Sequence, residues 1–186
     1  TRVALCIHGS VRNISFSHIF ENMHNIADHV DTFVSLRVVE WNKNGHYLRY
    51  DKPILHDDKR MNVISFNTFT HDSAWLNCTC GTPYMQGFMN RFESLQWCLN
   101  SVTAHEHRMP SPYDAIIAMR SDLTFTSPML QVSQMRYLWD SRSPMPYIDR
   151  DHIWIVPRNI SRILSDPILS IWKQCRHRLS CFQSTS

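Results

Sequence analysis

Five consecutive apolar residues, Ala115 to Met119, run without a break into Arg120 and Asp122. An apolar run of that length, bounded by polar residues, predicts a fully buried strand, here within Tyr113 to Phe125. A charge at the end of such a strand lies at the rim of a sheet. In open α/β sheets that rim is where ligands bind. One carboxylate there can hold a divalent ion, and the ion can hold a diphosphate.

The rest of the chain supplies partners for that strand. Val3 to Ile7 are unbroken apolar residues within a strand over Arg2 to His8, ended by Gly9-Ser10. Ile14 to Val30 carries helical spacing, with Ile19, Phe20, Met23, Ile26, Ala27 and Val30 on one face. A second strand begins at Asp31, runs through Thr32 to Leu36 and extends toward Val39. This strand–helix–strand unit predicts two parallel strands with a right-handed crossover. Trp41 to Arg60 is polar and irregular, Met61 to Phe66 reads as a strand, and Asn67 to Tyr84 as a long loop. Met85 to Arg108 is the clearest helix, striped by Met85, Phe88, Met89, Phe92, Leu95, Leu99 and Val102. Those methionines read as core packing. Ile153 to Val156 is a further strand, and Ser165-Asp-Pro167 reads as a helix start. The sum is an α/β domain with a mostly parallel central sheet and helices on both faces, spanning residues 1–182, with 183–186 a frayed tail.

Composition narrows the function. The chain has 186 residues, enough for one domain with a core and too few for two comfortable ones. A net charge of +3, with no basic cluster longer than Lys173 to Arg178, argues against nucleic acid as a partner. Only four glycines occur, Gly9, Gly45, Gly81 and Gly87, so neither a P-loop nor a dinucleotide fingerprint is present. No G-x-S-x-G elbow appears. No apolar run approaches the ~20 residues that span a bilayer. The chain opens at Thr1 directly into a strand pattern, as a piece cut from something longer would. Any membrane attachment is expected through a segment absent from it.

Six cysteines are present. Cys6 and Cys98 lie in apolar patterns and read as buried thiols. Cys78 and Cys80, in a polar loop, and Cys175 and Cys181, near the end, are the expected disulfide formers. Their spacing does not suit zinc. Three sequons, at Asn13, Asn77 and Asn159, point the same way as disulfides, toward a secretory lumen.

Three constellations can carry chemistry. His8-Gly9-Ser10-Val11-Arg12 places a permissive glycine and a guanidinium after the first strand. Arg120 and Asp122, two apart, share a face, where an ordinary surface ion pair is the plainer alternative. Asp149-Arg150-Asp151-His152 offers two carboxylates and an imidazole as general base or ligands, or a polar turn before a strand. His105-Glu106-His107 reads as structural, at a helix end.

The order Ile7-His-Gly-Ser-Val-Arg12, helix, Val30-Asp-Thr-Phe-Val34, long helix, Tyr113-Asp-Ala-Ile-Ile-Ala-Met-Arg-Ser-Asp-Leu-Thr-Phe125 resembles a group of GT-A-type glycosyltransferase domains. That group occurs in algae, large DNA viruses and bacteria, and carries Arg-x-Asp-Leu in place of Asp-x-Asp. The resemblance covers residues 2 to 160. It implies a Rossmann-like GT-A fold, with Gly9, Ser10 and Arg12 lining the nucleotide pocket. It further implies Asp122 on a divalent metal, Mn2+ or Mg2+, and Arg120 bracing Asp122 or a phosphate. Asp149, Asp151 and His152 are then the candidates for the base in an inverting transfer. The implied partners are a nucleotide-sugar donor and a glycan or protein acceptor. The implied site of action is the Golgi lumen, or the cytoplasm for a viral or bacterial chain. Many relatives carry an arginine two residues before the one matched by Arg120, where this chain has Ala118. About sixty residues follow Phe125, so the acceptor half is expected to be reduced. The alternatives are a nucleotide- or sugar-binding module without turnover and a secreted, disulfide-stapled interaction domain.

Overall fold

The computed structural model describes residues 1–10, 16–23, 25–41, 47–49, 62–69, 83–123, 125, 132–133, 147–149 and 152–164. The apolar run Val3 to Ile7 forms the middle of β1 (Arg2–Ser10), with all five residues buried. A strand buried on both faces is central by necessity. β1 pairs in parallel with β2 (His29–Arg37) on one side and with β6 (Ala115–Arg120) on the other. β5 (Asn62–Phe69) extends the parallel sheet beyond β2. β8 (Ile153–Pro157) runs antiparallel against β6, and β7 (Tyr147–Asp149) antiparallel against β8. The order across these six strands is β5-β2-β1-β6-β8-β7. A separate antiparallel ribbon pairs β3 (Val39–Trp41) with β4 (Tyr47–Arg49).

Strand alternation sorts the core into two layers. Val3, Leu5, Ile7, Val34, Leu36, Ala115, Ile117 and Met119 pack with Ile19 and Met23 of α1 (Phe16–Met23). Ala4, Cys6, Phe33, Ile116, Ala118 and Val156 pack with Leu95, Cys98, Leu99 and Val102 of α2 (Pro83–Glu106). The molecule is an α/β fold with a mostly parallel sheet and helices on both faces.

Most of the expected elements form, with instructive differences in extent. α2 starts two residues early, at Pro83, because proline suits the first helical turn. α1 stops at Met23 instead of reaching Val30. Ile26 stays buried by a turn, its amide donating to the Met23 carbonyl at 3.1 Å, so its apolar spacing serves packing without helix. β5 runs on to Phe69 through Asn67 and Thr68, because those residues pair with Ser35 and Leu36 of β2. Beyond Pro157 the chain turns into a 3-10 helix, Arg158–Leu164. That helix, β7 and the ribbon carry no periodicity long enough to read. The expected helix start at Ser165, the cluster Lys173 to Arg178, the four loop and tail cysteines and the tail lie outside the described residues.

One expectation is overturned. Cys6 and Cys98 are not thiols: they form a disulfide, joining β1 to α2 across 92 positions. The apolar surroundings that suggested inert thiols are real, and they bury the bond completely. Burial says how a cysteine packs, not whether it faces another cysteine.

The amino-terminal end of the parallel strands is tied by a polar network. Asp31 is buried and accepts from Arg2 Nε at 2.9 Å, Tyr113 Oη at 2.8 Å and Asn62 Nδ2 at 2.6 Å. Burial alone would raise its pKa, but the Tyr113 and Arg2 hydrogen bonds, with the Arg2 charge, outweigh that and hold the carboxyl below its ordinary range. Burial, reinforced by the hydrogen bond to Asp31, pushes the Tyr113 phenol well above its usual value. Tyr113 Oη also meets His105 Nδ1 at 2.8 Å, and the Tyr113 amide donates to Glu106 Oε1 at 3.0 Å. Arg158 forks onto Glu106 at 2.6 and 2.8 Å. His105 and Glu106 are thus structural, as their place at the end of α2 suggested.

Candidate functional site

The carboxyl-terminal end of the same strands is built from the face that packs on α2. Register aligns residues into levels across the sheet. Phe33, Cys6, Ala118 and Trp154 share one level, and the first three are fully buried. One step on, the level becomes wholly polar: Ser35 and Arg120 are the Cα partners of His8 on either side. His152 completes it, its carbonyl accepting from the Arg120 amide at 2.9 Å. One step further stand Arg37, paired with Ser10, and Asp122. Ser35, His8 and Arg37 are buried, so their polarity is held inside the fold. Ser94 of α2 donates to the Ser35 carbonyl at 2.6 Å, fixing the helix over this row.

Gly9 shapes the junction of β1 and β6. Its φ is +126°, a backbone conformation that side chains strain. A Cβ there would stand 3.0 Å from Ser121 Oγ. The Ser121 amide donates to the His8 carbonyl at 2.9 Å, so β1 and the turn after β6 stay locked past the end of the ladder.

That turn is closed by Arg120 and Asp122. Arg120 Nε donates to Asp122 Oδ1 at 2.8 Å and Nη2 to Oδ2 at 2.6 Å, a two-pronged pair. Its side chains are about one fifth and one quarter exposed, at 20% and 28%, so the pair faces solvent in part. The plainer alternative, an ion pair, is therefore present, but as a half-buried clamp at a strand end.

Topology marks this junction. From β1 the chain moves to β2 and β5 with α1 on one face. It then returns by way of α2 on the other face to β6, across β1. The direction of winding reverses between β1 and β6. In open α/β sheets the loops at such a reversal part and leave a ligand crevice at the carboxyl ends of the two strands. His8-Gly9-Ser10 and Arg120-Ser121-Asp122 are those ends. Because β8 is antiparallel to β6, its beginning, His152, reaches the same rim. Asp149 ends β7 there, opposite Ile153.

The structure therefore places Gly9, Arg120, Asp122 and His152, with the backbones of Ser10 and Asp149, along one rim of the sheet. Arg12 and Asp151 lie outside the described residues. Sequence reasoning missed Ser35 and Arg37. The signal was in β2, which is buried throughout Asp31 to Arg37 yet holds Asp31, Thr32, Ser35 and Arg37.

For a divalent ion, the described residues offer Asp122. Among them no group of three or more His, Cys, Asp or Glu side chains gathers to hold a metal. Both Asp122 oxygens accept from Arg120, so a cation there would share the carboxylate with that guanidinium. A cation held by this one carboxylate would have to take its other ligands from a diphosphate and water.

No protein-family model matches this chain, and no curated protein matches it.

Proposed function

We propose that this chain is a GT-A-type, Rossmann-like domain that transfers a sugar from a nucleotide-sugar donor. The observation that carries the reading is the placement of Arg120 and Asp122 beside Gly9 at the carboxyl-end rim, where the winding reverses. Two short motifs 111 positions apart, at Gly9 and Arg120, meet across one strand pair. In this reading Gly9 lets the turn after β6 close against β1, and Arg120 holds Asp122 in place beside it. Asp122 would hold Mn2+ or Mg2+, which when bound neutralises charge building on the departing diphosphate. Arg120, with Arg37 two strands away at the same rim, would supply guanidinium charge for phosphate oxygens. His152 stands at the crevice mouth, where it would take a proton from an acceptor hydroxyl, with Asp149 and Asp151 as the other candidate bases.

The experiment is titration of nucleoside diphosphates and sugar nucleotides, with and without manganese, followed by a transfer assay. We expect metal-dependent binding, weakened at least tenfold in Asp122→Asn. Binding indifferent both to manganese and to that substitution would overturn the reading.

A second reading, a donor-binding module without turnover, is favoured by one observation. Position 118, an arginine in many of the domains this one resembles, is here an alanine buried level with Cys6 and Trp154, inside the core. Metal-dependent binding with neither transfer nor donor hydrolysis would select it.

A further inference from the structure

We propose that Asn159 is an N-glycosylation site and that the chain folds in an oxidising secretory lumen. Asn159-Ile160-Ser161 has the required pattern, with a side chain other than proline in the middle. The pattern alone arises by chance. Two independent observations lift it above that.

The first is local. The sequon lies on the 3-10 helix Arg158–Leu164, where Asn159 is exposed while its neighbours anchor the turn. Ser161 and Leu164 are buried, and Ile160 packs against the core beneath α2. Ser161 Oγ donates to the Arg158 carbonyl at 2.9 Å and accepts from Arg158 Nη1 at 2.8 Å. A glycan on Asn159 would therefore stand in solvent on a turn that is already fixed. It would also stand clear of the crevice, since Pro157 pairs with Ala115 at the opposite end of the sheet.

The second is distant in sequence. Cys6 and Cys98, both fully buried, are joined in the middle of the core. Disulfides of this structural kind form and persist in oxidising compartments. That is also the compartment in which asparagine is glycosylated.

The step is a transfer from a lipid-diphosphate-linked oligosaccharide. Nδ2 of Asn159 attacks the anomeric carbon, the carbon–oxygen bond to the lipid diphosphate breaks, and a carbon–nitrogen bond forms. Nδ2 loses one proton, and the lipid diphosphate departs.

The test expresses the whole chain behind a cleavable secretion leader in eukaryotic cells, and in parallel translates it into endoplasmic-reticulum microsomes. Peptide N-glycosidase treatment should increase gel mobility and leave aspartate at position 159 in the peptide map. Asn159→Gln should remove that glycopeptide, Ser161→Thr should retain it, and non-reducing maps should show Cys6 joined to Cys98. An unmodified Asn159 in chains that carry the disulfide would overturn the proposal. So would free Cys6 and Cys98 thiols in chains recovered from the lumen.

Discussion

Gly9 is constrained twice, by a φ of +126° and by Ser121 Oγ 3.0 Å from where a Cβ would lie. Gly9→Ala should cost about 1–3 kcal/mol, read as a lowered denaturant midpoint. Pairing it with Ser121→Gly removes the contact but not the backbone strain, so recovery should be partial; full recovery would show that φ is not the constraint. Asp31 makes the other residue-scale prediction. Its carboxyl is held below the ordinary 3.8, so the folded state binds fewer protons there than the unfolded chain. The stability it contributes is complete above the ordinary value and is lost as pH falls through the lower, folded one. Asp31→Asn keeps the acceptor facing Asn62 but turns a donor toward Arg2 and Tyr113. It should cost about 2–4 kcal/mol at neutral pH, moderated because Arg2 is partly exposed. It should also flatten the decline of the melting temperature below pH 4 or so; an unchanged acid limb would reassign that decline to other carboxylates.

Helix α2 is held to the sheet by two devices of different kinds. The Cys6–Cys98 bond fixes its middle to β1, and the Ser94 hydroxyl fixes the preceding turn to β2. A crosslink closing a loop of 92 positions restricts the unfolded chain by about 4–5 kcal/mol in the chain-entropy account. Cys6→Ala with Cys98→Ala should lower stability by that order, measured by denaturant unfolding without reductant. A loss below about 1 kcal/mol would mean that the chain-entropy account does not hold for this bond. The amphipathic stripe of this helix was plain in the sequence, as were the continuous apolar runs of β1 and β6, because burial on one or both faces leaves a period. The disulfide was not, because a strand cysteine and a helix cysteine meet only through the tertiary fold. For the same reason Tyr113 and Asp114 were legible as part of a strand stretch but not as its long-range anchors. Tyr113 bonds Asp31 across 82 positions, and Asp114 accepts from the Arg2 amide at 2.8 Å.

At the scale of the whole molecule the sheet has two unlike ends. One is closed by the Asp31, Tyr113, Glu106 and Arg158 hydrogen bonds. The other carries Ser35, His8, Arg120 and His152 in a row above an apolar core. The motif order placed Gly9, Arg120 and Asp122 at one rim, since consecutive parallel strands must end on the same side. It could not supply Ser35 and Arg37, whose polarity only gains meaning once β2 is known to be buried. Nor could it foresee that β8, the strand beside β6, would run in reverse. That reversal has a practical outcome. A parallel neighbour would have presented its finish to the crevice, with its length fixed by the core beneath. β8 presents its start instead, so residues can be added or exchanged ahead of His152 to remodel the entrance while the foundation stays where it is.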